Sequence, residues 1–283
     1  MLSYFQAFIL GGLQGITELF PVSSLGHSVI LPKLFGWDIA QDSDQFLIFL
    51  VATHLATAIV LFVFYFEDWK KIIIGVLRSL TNTKLIRTNT YARFGWLLIV
   101  GTIPAGILGL LFESKLKHLF ASPIYAAGFL TLNGIMLFAA EKLRTRQHEG
   151  RADDAVIGTL SFASIVKVGF AQSVALLPGL SRTGATLGGG LLVGLNHANA
   201  ARLSFMLATP IITAAALHKL PLLLHEEHLA ALGPTIFGAL VSAIAAYLSV
   251  RFLSKYFETK RLTPFAYYCL IFGATCFVFL QAN

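Results

Sequence analysis

Polar and ionisable side chains interrupt two long apolar segments of this sequence. The first interruption, ELFPVSSLGH, contains Glu18, Ser24 and His27, and the second, LLPGLSRTGATLGGG, contains Arg182. Charged groups inside a membrane cost about 3 kcal/mol each on insertion scales, which makes them functional candidates. We predict that these four residues carry the chemistry of the protein.

The four side chains match the requirements of phosphoryl transfer. Ser24 is a nucleophile if His27 accepts its proton, and His27 can later protonate the leaving oxygen. Arg182 can hold two phosphate oxygens through its planar guanidinium group. Glu18 can orient His27 or bind a divalent cation, because carboxylate oxygens are preferred ligands of Mg²⁺ and Ca²⁺. The sequence therefore predicts a catalytic site for phosphoryl transfer.

Backbone and side-chain groups around these residues are predicted to bind the substrate. The glycine-rich turn that opens a helix between Thr183 and Gly190 offers backbone amides to an anion. The predicted substrate-binding residues are Gln14, Ser23, Gly26, Ser181, Thr183 and Gly184.

Each interpretation has a structural alternative. Glu18 and Arg182 could form an ion pair that only joins the two segments, since pairing is how membrane proteins tolerate charges. Serine and glycine are also common where membrane helices pack closely. His54 and Asn133, each within an apolar run, are interpreted as interhelical hydrogen-bonding residues.

Two further pairs of residues do not indicate a second site. His225 and His228 flank two glutamates in a short connection and are interpreted as solvated residues rather than metal ligands. Cys269 and Cys276 lie in one apolar run, about two helical turns apart, and we expect no disulfide between them.

Membrane helices must position these residues, because the composition excludes a soluble fold. Of 283 residues, 56% are hydrophobic and 12% are charged, and the mean hydropathy is +0.75. A soluble domain has about 25% charged residues. The net charge of +7 comes from short connections between apolar runs and does not indicate nucleic-acid binding. We expect a single integral-membrane domain, 1–283, and no cleavable signal peptide, since no charge precedes Glu18.

The apolar runs predict an all-α polytopic membrane protein. Six runs approach the ~20 residues that cross a ~30 Å hydrocarbon core: about 46–66, 94–112, 122–140, 203–222, 232–253 and 264–281. Two further segments, 4–35 and 156–195, are broken in the middle by proline, glycine and serine. Because proline disfavours a continuous helix, we predict that both are re-entrant helix-loop-helix hairpins.

The two broken segments belong to an internal repeat. Gln14, Pro21 and Gly26 align with Gln172, Pro178 and Gly184. If each hairpin returns to its own side, the halves, about 1–145 and 155–283, each cross three times and have opposite orientations. Lysine and arginine concentrate in loops 67–93, 141–154 and 254–263, so the positive-inside rule predicts that these are cytoplasmic and both termini periplasmic.

The motifs QGITELFPVSSLGH and PGLSRTGAT resemble the two signature segments of the undecaprenyl-diphosphate phosphatase (bacitracin-resistance) family. The resemblance extends to the pattern of spans over essentially the whole chain. It implies hydrolysis of undecaprenyl diphosphate to undecaprenyl phosphate in the bacterial inner membrane, which recycles the lipid carrier for peptidoglycan and other envelope polymers. It also implies bacitracin resistance when the protein is abundant.

The same resemblance implies roles for individual residues. Glu18, Ser24, His27 and Arg182 match the principal active-site residues of the family. The supporting hydroxyl groups would be those of Ser23, Ser181 and Thr183. The family requires Mg²⁺ or Ca²⁺, for which Glu18 is the expected ligand, and its active site is placed towards the periplasm.

Three positions depart from the family pattern. Gln14 stands where some members have a second glutamate, which bears on a two-carboxylate metal site. Leu25 replaces a third hydroxyl residue. Arg202 replaces an expected acidic residue, and we expect its charge to alter head-group handling or ion pairing.

A transporter is the alternative function. Inverted repeats and broken helices also bind anionic substrates in carriers, so a flippase of an anionic polyprenyl phosphate lipid has the same features. The proximity of Ser24 and His27 in sequence favours the enzyme, because a carrier needs no nucleophile. A structural membrane subunit leaves the buried charges unexplained. The sequence leaves open a covalent phosphoserine or direct attack by water, the side of substrate entry, the preferred polyprenyl length and whether the protein forms a homo-oligomer.

Overall fold

A computed structural model describes residues 2–120, 122–144, 150–223 and 232–282, without the side chains of 113–118, 120 and 220–223. Every regular element in the described residues is an α-helix. The helices are α1 Tyr4–Thr17, α2 Ser24–Leu34, α3 Asp44–Phe64, α4 Phe66–Thr81, α5 Leu85–Thr88, α6 Thr90–Phe120, α7 Pro123–Leu143, α8 Asp154–Gly158, α9 Phe162–Val174, α10 Arg182–Leu192, α11 His197–Leu223, α12 Leu232–Tyr256 and α13 Thr263–Ala282.

Six helices of the described chain are long and apolar enough to cross a membrane. They are α3, α7, α12 and α13 over their whole lengths, α6 over Thr90–Phe112 and α11 over His197–Lys219. Each apolar stretch has 20 to 25 residues, enough to cross the ~30 Å hydrocarbon core. The predicted all-α fold with six spans is therefore confirmed.

Four short helices form the two broken segments. Helices α1 and α2 flank the first tip, defined here as residues 18–27, and α9 and α10 flank the second tip, residues 175–184. The four helices have 14, 11, 13 and 11 residues, so each reaches only about 16–21 Å at ~1.5 Å per residue. None is long enough to span a bilayer alone. The helix-loop-helix hairpins are present, and their entry into the bilayer stays a prediction.

Both tips begin their second helix with the same serine cap. Ser23 accepts a hydrogen bond from the backbone N–H of Gly26 at 3.2 Å, and Ser181 accepts one from that of Gly184 at 3.0 Å. A serine in this position satisfies a backbone donor that lacks a partner in the first helical turn. The local sequence therefore fixes where each broken helix restarts.

Helix pairing relates the two parts of the chain. Helix α1 packs on α12 while α9 packs on α6, and α7 pairs with α13 as α3 pairs with α11. A Cβ atom added to Gly11 or Gly15 of α1 would overlap the backbone of α12, so these glycines permit the close approach. The contacts agree with a repeat, although the boundaries of its halves stay a prediction.

Arg202, one of the departures from the family pattern, lies in an ion-pair cluster away from both tips. Its guanidinium donates to both carboxylate oxygens of Asp154, at 2.5 and 2.8 Å, and lies 3.0 Å from Asp68. It also stacks over the ring of Tyr65, 5.0 Å from the centroid. Arg202 therefore joins α11 to α8 and α4 by ion pairs, and the effect of its charge relative to the expected acidic residue stays a prediction.

Candidate active site

The first tip places a serine hydroxyl against a carboxylate. Ser24 Oγ donates a hydrogen bond to Glu18 Oε2 at 2.5 Å, a short distance that is typical of O–H donors to ionised acceptors. The preceding residue, Ser23, has φ 68°, in the left-handed region that non-glycine residues rarely adopt. Such strain persists where the surrounding structure imposes it, often at functional sites. The strained turn is what brings Ser24 to face Glu18.

The second tip places an arginine on the other oxygen of the same carboxylate. Arg182 Nη2 and Nε lie 3.0 and 3.3 Å from Glu18 Oε1, and Nη1 donates to the carbonyl of Ser204 at 3.3 Å. The Glu18 side chain is 6% exposed and that of Arg182 14% exposed. The ion pair considered above is therefore present, and it joins the two tips directly.

Further contacts hold the tips together. Asn133 of α7 donates to the carbonyl of Pro21 at 2.9 Å and accepts from the backbone N–H of Ser181 at 3.0 Å. A Cβ atom at Gly26 would lie only 3.1 Å from Gly179 Cα, so the two turns touch. Thr183 Oγ1 donates to the carbonyl of Glu18 at 2.7 Å. Asn133 thus makes the expected interhelical hydrogen bonds, and it makes them to both tips.

A cavity of about 600 Å³ leads to these groups. Glu18, Ser24 and Arg182 line it, as do Ser23 and Ser181. The rest of its wall is mainly apolar and comes from α3, α6 and α11, and it extends to residues 41–43 before α3 and 218–219 near the end of α11. Ligand sites commonly combine apolar walls with a few convergent polar groups. The cavity fits a molecule with a lipid portion and an anionic head group.

His27 makes its hydrogen bonds to residues other than Ser24, so the geometry does not support the predicted pairing with that serine, and a catalytic role of His27 stays a prediction. Its Nδ1 lies 2.6 Å from the carbonyl oxygen of Ser23, and its Nε2 lies 2.7 Å from the hydroxyl of Tyr268. The ring stacks against Tyr268 and Phe272 of α13 and is 2% exposed. Because both ring nitrogens are engaged and the ring is buried against α13, His27 supports the strained turn. Its predicted contact with Glu18 is absent as well.

His54 of α3 takes the place that His27 was expected to occupy. Its Nε2 lies 3.3 Å from Glu18 Oε2 and 3.5 Å from Ser24 Oγ, and it lines the cavity. Its Nδ1 lies 2.7 Å from the carbonyl oxygen of Leu50 one turn earlier, which fixes the ring orientation. The sequence prediction of an interhelical hydrogen bond is confirmed, but the partner is the site carboxylate. A histidine in the middle of the apolar run FLVATHLAT was the available signal.

The predicted substrate-binding residues divide into two groups. Ser23 and Ser181 line the cavity, whereas Gln14, Thr183, Gly184 and Gly26 do not. Gln14 Nε2 donates to Glu18 Oε2 at 3.2 Å. Leu25, where the third hydroxyl is missing, also lines the cavity. The second group therefore supports the tips rather than presenting polar atoms to a ligand.

The donor atoms at Glu18 fit a divalent cation only together with phosphate oxygens. The described chain contains no group of three or more His, Cys, Asp or Glu residues that could hold a metal ion. Near Glu18, Gln14 Oε1 is buried without a hydrogen-bond partner in the described chain. Mg²⁺ is commonly bound by one or two carboxylates together with substrate phosphates. Glu18 lines the cavity and fits this arrangement, whereas the described residues do not form a complete protein cage. His225 and His228 lie outside the described residues.

Together, the helices and the site define a multi-pass membrane protein with a phosphoryl-transfer type of site in a membrane cavity. The family model described as "Bacitracin resistance protein BacA" matches residues 7–275. The chain belongs to this family. The resemblance of the two motifs is thereby confirmed over nearly the whole sequence.

Curated relatives match along their full lengths. A protein of Mycolicibacterium paratuberculosis named undecaprenyl-diphosphatase is 44% identical, over 99% of this chain and 98% of the relative. Proteins named undecaprenyl-diphosphatase 2 from Chromobacterium violaceum and Frankia alni are 44% and 42% identical, over 97% and 98% of this chain and 98% of each relative.

Proposed function

We propose that this protein hydrolyses undecaprenyl diphosphate to undecaprenyl phosphate and inorganic phosphate. Its membership of the BacA family and the names of its relatives support this activity. The structural observation that carries it is one carboxylate, Glu18, bonded on one oxygen to the hydroxyl of Ser24 and on the other to Arg182. A nucleophile, a proton acceptor and a phosphate-binding cation are thus in contact inside one lipid-sized cavity.

Ser24 is the nucleophile in the proposed reaction. Its Oγ attacks the terminal phosphorus, and its proton passes to Glu18 Oε2, 2.5 Å away. The bond from that phosphorus to the bridging oxygen breaks, and undecaprenyl phosphate leaves with that oxygen. A water molecule then cleaves the phosphoserine, releasing inorganic phosphate and returning the proton to Ser24. The guanidinium of Arg182 stabilises the charge that develops on the phosphoryl oxygens.

A divalent cation, Mg²⁺ or Ca²⁺, is part of the proposal. Glu18, which lines the cavity, would hold it together with the diphosphate oxygens. When bound, it would neutralise part of the negative charge of the diphosphate. Dialysis of the wild-type protein against EDTA is expected to reduce phosphate release, with recovery on adding back MgCl₂ or CaCl₂. Unchanged release after EDTA dialysis would remove the cation from the proposal.

The proposed location is the bacterial inner membrane, with both termini in the periplasm. Lysine and arginine concentrate in loops 67–93, 141–154 and 254–263, which supports placing these loops in the cytoplasm. The cavity extends towards the other side, near residues 41–43 and 218–219, which agrees with a periplasmic opening. A single cysteine introduced at exposed Asp42 tests this: a membrane-impermeant thiol reagent should label it in intact spheroplasts. Labelling only after lysis would mean that residue 42 faces the cytoplasm, which is the opposite of the proposed orientation.

The transporter alternative is not favoured. The feature that distinguishes an enzyme is a nucleophile beside a base, and the hydrogen bond from Ser24 to Glu18 supports such a pair with Glu18 in place of His27. The names of the relatives also support hydrolysis over transport.

Phosphate release from purified protein tests the proposed function. In detergent with a polyprenyl diphosphate, Ser24→Ala is expected to lose about 10³-fold or more of kcat/KM, as loss of a nucleophile does in other hydrolases. Ser28→Ala is the matched control, because Ser28 is one helical turn further on in α2 and its buried hydroxyl has no partner in the described chain. No release by the wild type, or equal rates for Ser24→Ala and wild type, would contradict the proposal.

The chemical route has its own test. Rapid acid quenching with substrate labelled in the terminal phosphate should trap a phosphoserine at Ser24, identifiable by peptide mass spectrometry. Direct attack by water, with Ser24 only orienting it, would leave the peptide unlabelled while labelled phosphate is still released.

A further inference from the structure

Gln172 of α9 has a buried amide group whose two polar atoms are both without hydrogen-bond partners in the described chain. The side chain is 2% exposed. Single unpartnered buried atoms also occur on Gln14, Ser28, Trp69 and Thr209. Gln172 differs from these four because it lines the cavity that contains Glu18, Ser24 and Arg182.

An amide in this state indicates a ligand. More than about 90% of buried polar groups in proteins are hydrogen-bonded, since burying an unpaired donor or acceptor destabilises the fold. Methionine or leucine would fill the same space without that penalty. The glutamine therefore retains polar atoms that the folded protein itself does not use.

The position of Gln172 is fixed by helix packing. One turn before it in α9, Gly169 packs so closely on Gly101 and Pro104 of α6 that a Cβ atom would overlap them. Gln172 lies on the same buried face of α9, and the second tip leads from the end of α9 to Arg182. The two arms of one hairpin thus contribute Gln172 and Arg182 to the lining of the same cavity.

The corresponding glutamine of the first hairpin has a different use. Gln14 aligns with Gln172 in the repeat, but its Nε2 donates to Glu18 at 3.2 Å and its side chain does not line the cavity. Gln14 therefore forms a hydrogen bond with the proposed catalytic carboxylate, Glu18. Gln172 instead lines the cavity, and its buried amide has no partner in the described chain.

We propose that the Gln172 amide binds the phosphoryl oxygens of the diphosphate head group. Nε2 donates to a phosphoryl oxygen, and Oε1 accepts a hydrogen bond from a water molecule that solvates the head group. This assignment rests on the proposed function and adds a neutral phosphate-binding residue to Arg182. It makes Gln172 a determinant of substrate affinity.

Gln172→Met is the test, because methionine keeps the unbranched shape and removes both polar atoms. We expect KM for a polyprenyl diphosphate to rise about tenfold or more, the usual effect of losing a hydrogen bond to a charged group. The melting temperature should stay the same or rise, since an unpaired buried amide has been removed. Thr209→Val is the matched control: it removes an unpartnered buried hydroxyl that does not line the cavity, so KM should not change.

A binding measurement separates this inference from catalysis. Inorganic pyrophosphate should raise the melting temperature of the wild type and of Thr209→Val, and raise that of Gln172→Met less. Inorganic phosphate in a parallel series shows whether the amide holds one phosphoryl group or needs the diphosphate; stabilisation that Gln172→Met weakens in either series supports the proposal.

Two results would overturn the inference: a KM for Gln172→Met within twofold of wild type, and equal stabilisation of both proteins by both anions. If Gln172→Met does not fold, Gln172→Glu, which retains hydrogen-bonding atoms but repels phosphate, takes its place. A raised KM of the folded Gln172→Glu protein then supports the proposal, and a KM within twofold of wild type, or failure to fold, overturns it. Failure of the wild type to release phosphate would instead refute the proposed function.

Discussion

The two tips share a scaffold and differ in their chemistry. Each follows a short helix, turns at a proline and restarts a helix with a serine cap. In the second tip a glycine, Gly179 with φ 104°, takes the left-handed conformation, whereas in the first tip Ser23 takes it with φ 68°. The strained residue directly precedes Ser24, the proposed nucleophile. The repeated fold positions both tips, and we propose that the side chains that differ between the two copies divide acid–base and anion-binding roles.

The largest effect is expected where the two tips meet. Glu18→Gln keeps the shape of the carboxyl group but removes the acceptor for the Ser24 proton and the partner of Arg182. We expect kcat/KM to fall about 10²–10⁴-fold, the range for loss of general acid–base catalysis. Phosphate release by purified protein measures it. A loss below threefold would show that catalysis needs Glu18 neither as the acceptor of the Ser24 proton nor as the partner of Arg182.

A smaller effect is expected from the second tip alone. Arg182→Lys retains the positive charge but loses the fork that can hold two phosphate oxygens. We expect kcat/KM to fall about 10- to 100-fold, as charge-assisted hydrogen bonds of about 1.5–3 kcal/mol are lost. Steady-state kinetics of Arg182→Lys and Arg182→Ala should rank the lysine variant between wild type and alanine. Equal activity of Arg182→Lys and Arg182→Ala would mean that a positive charge without the guanidinium group does not contribute to catalysis.

The two histidines at the first tip, His27 within it and His54 beside it, should respond differently to substitution. His54→Leu removes the hydrogen-bonding group beside Glu18 and should lower kcat about tenfold with little change in KM, because a fixed geometry is lost. His54→Gln retains a donor and should recover most of the rate. If both variants match the wild type, His54 does not position the site.

His27 should act through the fold instead. His27→Leu removes the contacts to Ser23 and Tyr268, and we expect a loss of about 1–3 kcal/mol of stability, as for other broken buried hydrogen bonds. Unfolding in detergent measures it, with Tyr268→Phe as the control that removes only one bond. A fully stable but inactive His27→Leu protein would restore the sequence-based assignment of a direct chemical role.

The smallest effects compare the two turns. Gly179→Ala should destabilise by about 2 kcal/mol or more, because φ 104° disfavours a side chain and the new Cβ would overlap Ala126 of α7. Ser23→Gly should change stability by less than about 1 kcal/mol, because relief of strain offsets the added chain entropy. Melting temperatures of the two variants test the difference. A larger loss in Ser23→Gly would mean that the serine turn is unstrained.

Much of this architecture follows from local sequence. Length and hydropathy predict the six spans, and proline with serine and charge at the centre of an apolar run predicts the two tips. The contact of Glu18 with Arg182 agrees with the predicted inverted repeat, in which the two tips would approach each other from opposite sides.

The direction of individual side chains could not be predicted. His27 lies three residues after Ser24, yet Tyr268 of α13 determines where its ring points. His54 reaches Glu18 because α3 packs beside the first tip, a contact between distant parts of the chain. Spacing within a motif gives no information on either. The sequence identifies Gln172 only as the repeat partner of Gln14, because its unpaired amide is apparent only once the helices are packed.

The position of Asn133 between the tips has a consequence for biogenesis. Its bond to Pro21 joins residues 112 apart in the chain, its bond to Ser181 joins residues 48 apart, and the Glu18–Arg182 pair joins residues 164 apart. During synthesis from the N-terminus, α7 is complete before the second tip leaves the ribosome. The first tip can therefore pack against α7 before the second tip has been synthesised. Of Glu18, Ser24 and Arg182, Arg182 is synthesised last, so the contact between the two tips can form only after the second tip has been made.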